Sequence, residues 1–407
     1  MADLQIRGNK VALLDSNDNI IYTLPDSAGS IGEAVVTDGA GKLFYGGIDI
    51  ESVLAAGDSS NRNITVNVLN SDIARGETIN IANPSPAPPT PAYPVHGYVS
   101  GGESPTPTNT IDKFNTAVGY DTATFDVGDL TSARGKVSGK SSSTHGYTTG
   151  GTQPGPTTTS SNIIEKHTFV TDANSTDVGD LTQSRASTAG QSSSTHGYTS
   201  GGMPTIFPGT SQTGANPIDK FPFSVDANAT DVGDLSQSRK EASGTNSSTH
   251  GYSSGGEFGL GSPSAVTTID KFPFSSDTNA TDVGDLILEN SDTSGQSSTT
   301  HGYVTGGITG STFSPPPLYR SDLQKFPFAT DTNATKIGDL IASPGFYSDR
   351  RYGSAGVSSA THGYACGGSA GPVSGNIYKF PFATDADAPD TGMNLTQSRR
   401  VAAGTQG

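Results

Sequence analysis

The chain of 407 residues has no tryptophan, one cysteine and three methionines, and only 31% of its residues are hydrophobic. A lone thiol, Cys366, has no partner for an intramolecular disulfide. No apolar run approaches the roughly 20 residues of a membrane-spanning helix, so membrane insertion is not expected. The opening MADLQIRGNK likewise lacks the apolar core of a secretory leader. Cations are scarce too: 23 Lys and Arg stand against 39 Asp and Glu, a net charge of −16. Nucleic acid binding needs clustered cations and is not expected either. So few apolar residues, diluted by 52 glycines, would make one large core marginal.

What the chain does have is a repeat. His-Gly-Tyr begins at His96, His145, His196, His250, His301 and His362, and each copy is followed two residues later by Gly-Gly. Successive copies are 49, 51, 54, 51 and 61 residues apart. A period of this size signals a propeller or a solenoid. In the copy around His196, four short strands are expected near residues 185–191, 196–202, 218–223 and 231–235, bounded by Gly, Ser, Asn, Asp or Pro. The apolar residues are concentrated at repeated positions: ten of the sixteen Phe fall in Lys-Phe-Pro-Phe or its variants. Four strands in each of six units give an all-β chain read as a six-bladed β-propeller. The array starts on a second strand near residue 95 and finishes on a first strand, 398–407. The two ends therefore complement each other in one blade and close the ring.

At this point the pattern resembles the kelch repeat. Arg134, Arg185, Arg239, Arg351 and Arg399 occupy the kelch arginine position, with Asn290 in its place once, and Gly-Gly ends each second strand. The resemblance covers about residues 95–407, and the absent tryptophan marks a divergent relative. It implies a kelch-like ring. The arginine, repeated in nearly every blade, reads as architectural, pairing with a turn carboxylate of its own or a neighbouring blade rather than with a ligand.

Residues 1–83 stand outside the array and read as a β-rich attachment or assembly domain. Strands are expected at 4–6, 10–14, 20–23, 33–37, 42–45, 63–69 and 78–81, with one or two helical turns at 49–56. Residues 84–94 hold six prolines among eleven positions, a semi-rigid spacer. The phrases GNKVALLDSNDNIIYTLPDSAG and VVTDGAGKLFYGG are similar to segments near the start of tail-fibre and other appendage proteins of marine bacteriophages. The Asp-Ala-Asn-Ala-Thr-Asp-Val-Gly-Asp repeats also look like phage structural proteins. This resemblance implies a component of the virion surface, assembled in the host cytoplasm as a homo-oligomer. It would bind other virion proteins through residues 1–83 and display the propeller to a host-surface glycan or protein. Alternatives are a capsid or tail cement protein with a purely stabilising role, and an intracellular kelch-like adaptor.

No enzyme is expected, because no nucleophile stands with a distinct base. Propeller sialidases carry Trp-containing Asp boxes and the kelch-like copper oxidases a Cys, Tyr and His set, and neither pattern is found. Cys366 occupies the place of Ser100, Ser200 and Ser254 and reads as a buried small residue. Six histidines spread one per blade cannot meet at one metal, whose ligands lie within about 2.1 Å of it. They read instead as strand-start residues bonded to a neighbouring turn, and His167, in a Phe position, reads as packing. Asp and Asn sets such as Asp226, Asn228, Asp231 and Asp234 offer oxygen ligands for calcium. Their order does not match the twelve-residue calcium loop, and Asx turns account for them, so no cofactor is assigned.

Function is expected where the repeats differ. The segments after Gly-Gly, at 103–110, 152–162, 203–217, 257–268, 308–322 and 369–376, vary in length. So does the fourth-to-first connection at 340–351. Both kinds of connection should emerge on one face of a four-stranded blade, with the near-constant loops on the other. The candidate ligand-binding residues on the variable face are Phe207, Phe258, Phe313, Tyr319, Arg320, Phe346, Tyr347 and Arg350.

Overall fold

The computed structural model describes residues 96–116, 123–155, 159–204, 214–259, 265–309, 318–341 and 349–407, and the backbone of five strands before them. The described residues are all β and turn, with no helix. The chain divides into two compact units, Met1–Pro91 and Ala92–Gly407. In the first, Asp3–Arg7, Lys10–Leu14 and Ile20–Thr23 form an antiparallel three-stranded sheet, and Glu33–Thr37 pairs with Leu43–Gly47. The expectations for 49–56, 63–69, 78–81 and the proline spacer lie outside the described residues.

The second unit is a propeller-like arrangement of small antiparallel sheets. Repeats are numbered 1 to 6 after their His-Gly-Tyr, so repeat 3 holds His196. Its strands are Ala189–Ser192, His196–Ser200, Ala215–Pro222 and Thr230–Arg239, hydrogen-bonded in that order. The second strand is buried almost throughout, the third alternates, and the fourth lies at the more exposed edge. Such a gradient is expected where the apolar side chains of one sheet are covered by the next. The fragments at the array's two ends do combine: Ala403–Gln406 pairs with His96–Ser100 in the sheet of repeat 1.

Separate four-stranded sheets number four, where six were expected. Repeats 5 and 6 share one eight-stranded sheet, because Leu340 and Ile341 pair in parallel with Ala388 and Pro389. The cause is local. At four other junctions a single bond joins the same places, as from Ala229 N to Asp180 O at 2.8 Å. In repeat 5 the contact extends over two residue pairs, Leu340 with Ala388 and Ile341 with Pro389.

The first strands line the centre. Each neighbours two others in a closed cycle, Ser138–Ser141, Ala189–Ser192, Ser243–Asn246, Ser294–Ser297, Ala355–Ser358 and Ala403–Gln406. Glycine is required at their midpoints. A Cβ on Gly139 would lie 2.1 Å from the carbonyl oxygen of Gly404, and one on Gly404 would lie 2.0 Å from that of Gly356. A side chain there would push the strands apart. The expected arginine position is displaced: Arg185 sits ahead of Ala189–Ser192, in the connection rather than on the strand.

The core lies between repeats. Tyr198, Ile218 and Leu235 of repeat 3 cluster with Phe272 and Ala280 of repeat 4, and the tyrosine stacks on Phe274 with ring centroids 4.8 Å apart. Equivalent clusters join every consecutive pair, including Phe114 of repeat 1 against Tyr364 of repeat 6. Offset aromatic pairs of this kind contribute about 0.5–1.5 kcal/mol each beyond area burial. Six small cores of this kind explain how a chain poor in apolar residues holds an ordered fold.

Candidate recognition face

Two kinds of connection mark the two faces of the ring. On one face, Ser193 at the start of a serine-rich turn receives the backbone N–H of His196 on its Oγ at 2.9 Å. Thr195 Oγ1 meets His196 Nδ1 at 2.9 Å, and the same bonds recur at His145, His250, His301 and His362. The histidines are thus strand-start turn residues, as expected. Burial, and then the third-strand lysine, holds His96, His145, His196, His250 and His301 below the usual imidazole range.

The Asp-rich turns share this face and hold neighbours together. Asn228 Oδ1 accepts the N–H of Asp180 at 3.0 Å, and Asp226 takes the Lys166 ammonium at 2.5 Å, both from the preceding repeat. Asn174, Asn279, Asn333 and Asp387 repeat the first bond, and Asp172, Asp277, Asp331 and Asp385 the second. These oxygens have work in the ring, and among the described residues no group of three or more His, Cys, Asp or Glu converges as a metal set. Inside this face opens a central cavity of about 650 Å³ lined mostly by glycines and serines, with Lys140, Asn246, Thr299, Ala360 and Gln406.

The recurrent arginine is bound differently from the expectation. Arg185 pairs with Asp219 at 2.7 Å, both side chains fully buried, and Asp219 belongs to the third strand rather than to a turn. The same carboxylate accepts the N–H of Thr182 at 2.9 Å, so it clamps both ends of the connection entering the repeat. Arg134 with Glu165, Arg239 with Asp270 and Arg399 with Asp112 repeat the arrangement. Where Asn290 replaces arginine, Gln324 replaces the acid and accepts from Ile287 N at 2.9 Å. Arg351 alone takes a turn carboxylate, Asp349, at 2.7 Å, with Tyr378 in the third-strand place. Sequence reasoning missed this set. Its signal was Asp219 in the run Ile-Asp-Lys-Phe, an acid between apolar positions that changes whenever the arginine does.

His167 fills a Phe position between Tyr98 and Phe169, with ring centroids 5.2 and 5.6 Å away. Neither of its nitrogens has a hydrogen-bond partner among the described residues, and burial, then His145, pushes its pKa down to about 4. Cys366 is buried and its thiol is pushed up by burial, which makes it a packing residue.

The opposite face carries the connections of unequal length. Fourth-to-first connections bridge to second-to-third connections there, as between Ala186 and Met203, Lys240 and Glu257, and Tyr352 and Ser369. Among the candidate residues, Phe258 is 43% exposed. Phe207, Phe313, Phe346 and Tyr347 lie outside the described residues. Tyr319, Arg320 and Arg350 come together in one cavity of about 350 Å³, with Leu318, Ser321, Asp322, Lys336 and Asp339. Tyr319 stacks on Tyr352 at 5.3 Å with an interplanar angle of 11°, and the Arg400 guanidinium lies 5.4 Å from the Tyr352 ring. Lys336 bonds Asp322 at 2.9 Å and Asp339 at 2.8 Å, and Arg320 also pairs with Asp322. Those two cations hold the Asp322 carboxyl below its usual range, although burial opposes them.

All-β architecture in a propeller-like arrangement of small sheets is therefore the class the fold defines. No protein-family model matches the chain, and no curated protein matches it.

Proposed function

We propose that the chain is a non-enzymatic display protein of a virus particle, a divergent kelch-like ring of six blades held by its N-terminal unit. The six-blade count is supported by a closed belt of side chains. Ser141, Ser192, Asn246, Ser297, Ser358 and Gln406 each receive the backbone N–H of the preceding member, at 2.9 to 3.3 Å, and the last donates back to Ser141. On this count the eight-stranded sheet is two blades joined by two parallel residue pairs.

The observation that carries the display reading is where the chain enters the ring. His96 and Gly407 exchange backbone bonds of 2.9 and 3.0 Å, at the base of a second strand and so on the face of the constant Ser and Asp turns. The variable connections are opposite. An attachment segment entering there leaves the unequal loops facing away from the point of entry, where binding loops normally stand on a rigid scaffold. Many copies on one particle then add weak contacts into firm adhesion. The phrases in residues 8–47 that resemble phage appendage proteins support the choice of particle.

Removing residues 1–94 tests this reading. The shortened chain is expected to stay folded and to be lost from particles, read by its band in purified particles. Retention at the normal copy number contradicts it.

A further inference from the structure

Resting on the display reading, we propose that the cavity beside Tyr319 is a subsite for a carboxylate-bearing sugar residue. Its volume of about 350 Å³ is that of a small-ligand site and suits a single pyranose. Three features of its lining favour this chemistry.

Arg350 is exposed, lines the cavity, and has no hydrogen bond or ion pair among the described residues, whereas Arg320 and Lys336 are both held by carboxylates. In a chain of net charge −16, an unpaired guanidinium at the rim of a cavity is the group that would take an anion in a two-point fork. Tyr319 supplies the second feature. Its ring stacks on Tyr352, which Arg400 in turn holds by lying 5.4 Å from the ring and donating from Nη1 to the hydroxyl at 2.5 Å. Such a stack presents an aromatic ring at small entropic cost, and the C–H face of a pyranose packs on a ring held this way.

The third feature separates a sugar from an acidic peptide. Asp322 and Asp339 sit in the same cavity as fixed acceptors, each bonded to a cation that also donates. Paired donors and acceptors match vicinal hydroxyl groups, while two carboxylates and the overall negative charge repel a chain of acidic residues.

The test uses the full chain and a short galacturonate oligosaccharide, with a neutral galactose oligosaccharide and a polyglutamate peptide as comparisons, titrated by calorimetry at low and high salt. Galacturonate should bind and the neutral sugar should bind at least tenfold more weakly. Arg350→Ala and Tyr319→Ala should each weaken galacturonate tenfold or more, and Arg350→Lys should retain part of the affinity. An unchanged unfolding midpoint in Arg350→Ala shows that the exposed side chain was not structural. Equal binding of the neutral sugar, undiminished binding in Arg350→Ala, or preference for polyglutamate would overturn the proposal. Particles carrying Arg350→Ala separate its failure from that of the display reading. If they still adsorb to the host while particles with 205–213 replaced by a short Gly-Ser link do not, the sugar subsite is wrong and display stands. If neither change affects adsorption, display itself fails.

Discussion

Repeats 3 and 5 close the same junction with different chemistry. In repeat 3 a buried guanidinium, Arg185, meets a buried carboxylate, Asp219. In repeat 5 the uncharged Asn290 and Gln324 stand in those places: Asn290 Nδ2 donates to Gly306 O at 2.7 Å, as Arg185 donates to Gly201 O at 2.8 Å. Charge at this position is therefore dispensable when both partners give it up together, and where repeat 6 keeps Arg351 but has Tyr378 in the acid's place, the turn residue Asp349 supplies the counter-charge. Desolvating an ion pair costs about as much as its attraction returns, whereas one buried charge left alone costs heavily. The contrast distinguishes this buried pair, in which a lost partner is matched or replaced, from the variable connections, which change with no counterpart.

The largest effect should come from breaking a matched pair on one side. Asp219→Ala leaves Arg185 buried without its counter-charge and should destabilise the ring by about 3–5 kcal/mol. Urea unfolding of the full chain measures this. The double change Arg185→Asn with Asp219→Gln, copying repeat 5, should restore most of the loss. A double variant no better than the single would break the comparison.

His167 sharpens the comparison from another side, because it is a repeated position changed alone. It is neutral in the ring, with a pKa near 4, and would be protonated below about 6.5 when unfolded. As pH falls through 6.5 towards 4 the unfolded chain takes up a proton that the folded one refuses, so stability is lost across that window. At about 1.4 kcal/mol per pH unit the loss reaches roughly 3 kcal/mol. His167→Phe, the residue at the equivalent positions Phe221 and Phe272, should flatten this dependence without lowering stability at neutral pH. Unfolding midpoints measured from pH 4 to 7.5 decide it, and an unchanged slope contradicts it.

Exposed pairs should matter less. Lys220→Ala removes the bridge to Asp277, whose carboxylate is 55% exposed, and should cost about 0–1 kcal/mol, diminishing with added salt. Smallest of all, shortening 205–213 in the second-to-third connection of repeat 3 should shift stability by less than about 0.5 kcal/mol.

Much of the ring was legible because its signals are local and repeated. In the copy around His196 the expected second and third strands, 196–202 and 218–223, overlap His196–Ser200 and Ala215–Pro222 closely. Before the ring, the expectations at 10–14, 20–23 and 33–37 match Lys10–Leu14, Ile20–Thr23 and Glu33–Thr37 to the residue. Strand pairing across repeats was not legible. Nothing in the text around Ile341 says that it reaches Pro389, since that depends on where two distant segments meet. Asp219 was passed over for the same reason, as a polar letter in an apolar run whose partner lies 34 positions earlier. At the variable face, the sequence offered Tyr319, Arg320 and Arg350 as separate stray residues, and only the fold brings them around one cavity. The stack of Tyr319 on Tyr352 had no sequence signal, because Tyr352 lies in a connection with no fixed spacing to it.

The central claim is that recognition belongs to the unequal connections of the variable face and not to the constant Ser and Asp turns. Inserting the same small folded tag at 207–208 in one chain and at 193–194 in another, then measuring adsorption of particles carrying each, tests it most directly. The account predicts that the first insertion abolishes adsorption and the second leaves it near normal, with both chains incorporated equally. Loss of adsorption with the tag at 193–194 and its survival with the tag at 207–208 would contradict the account.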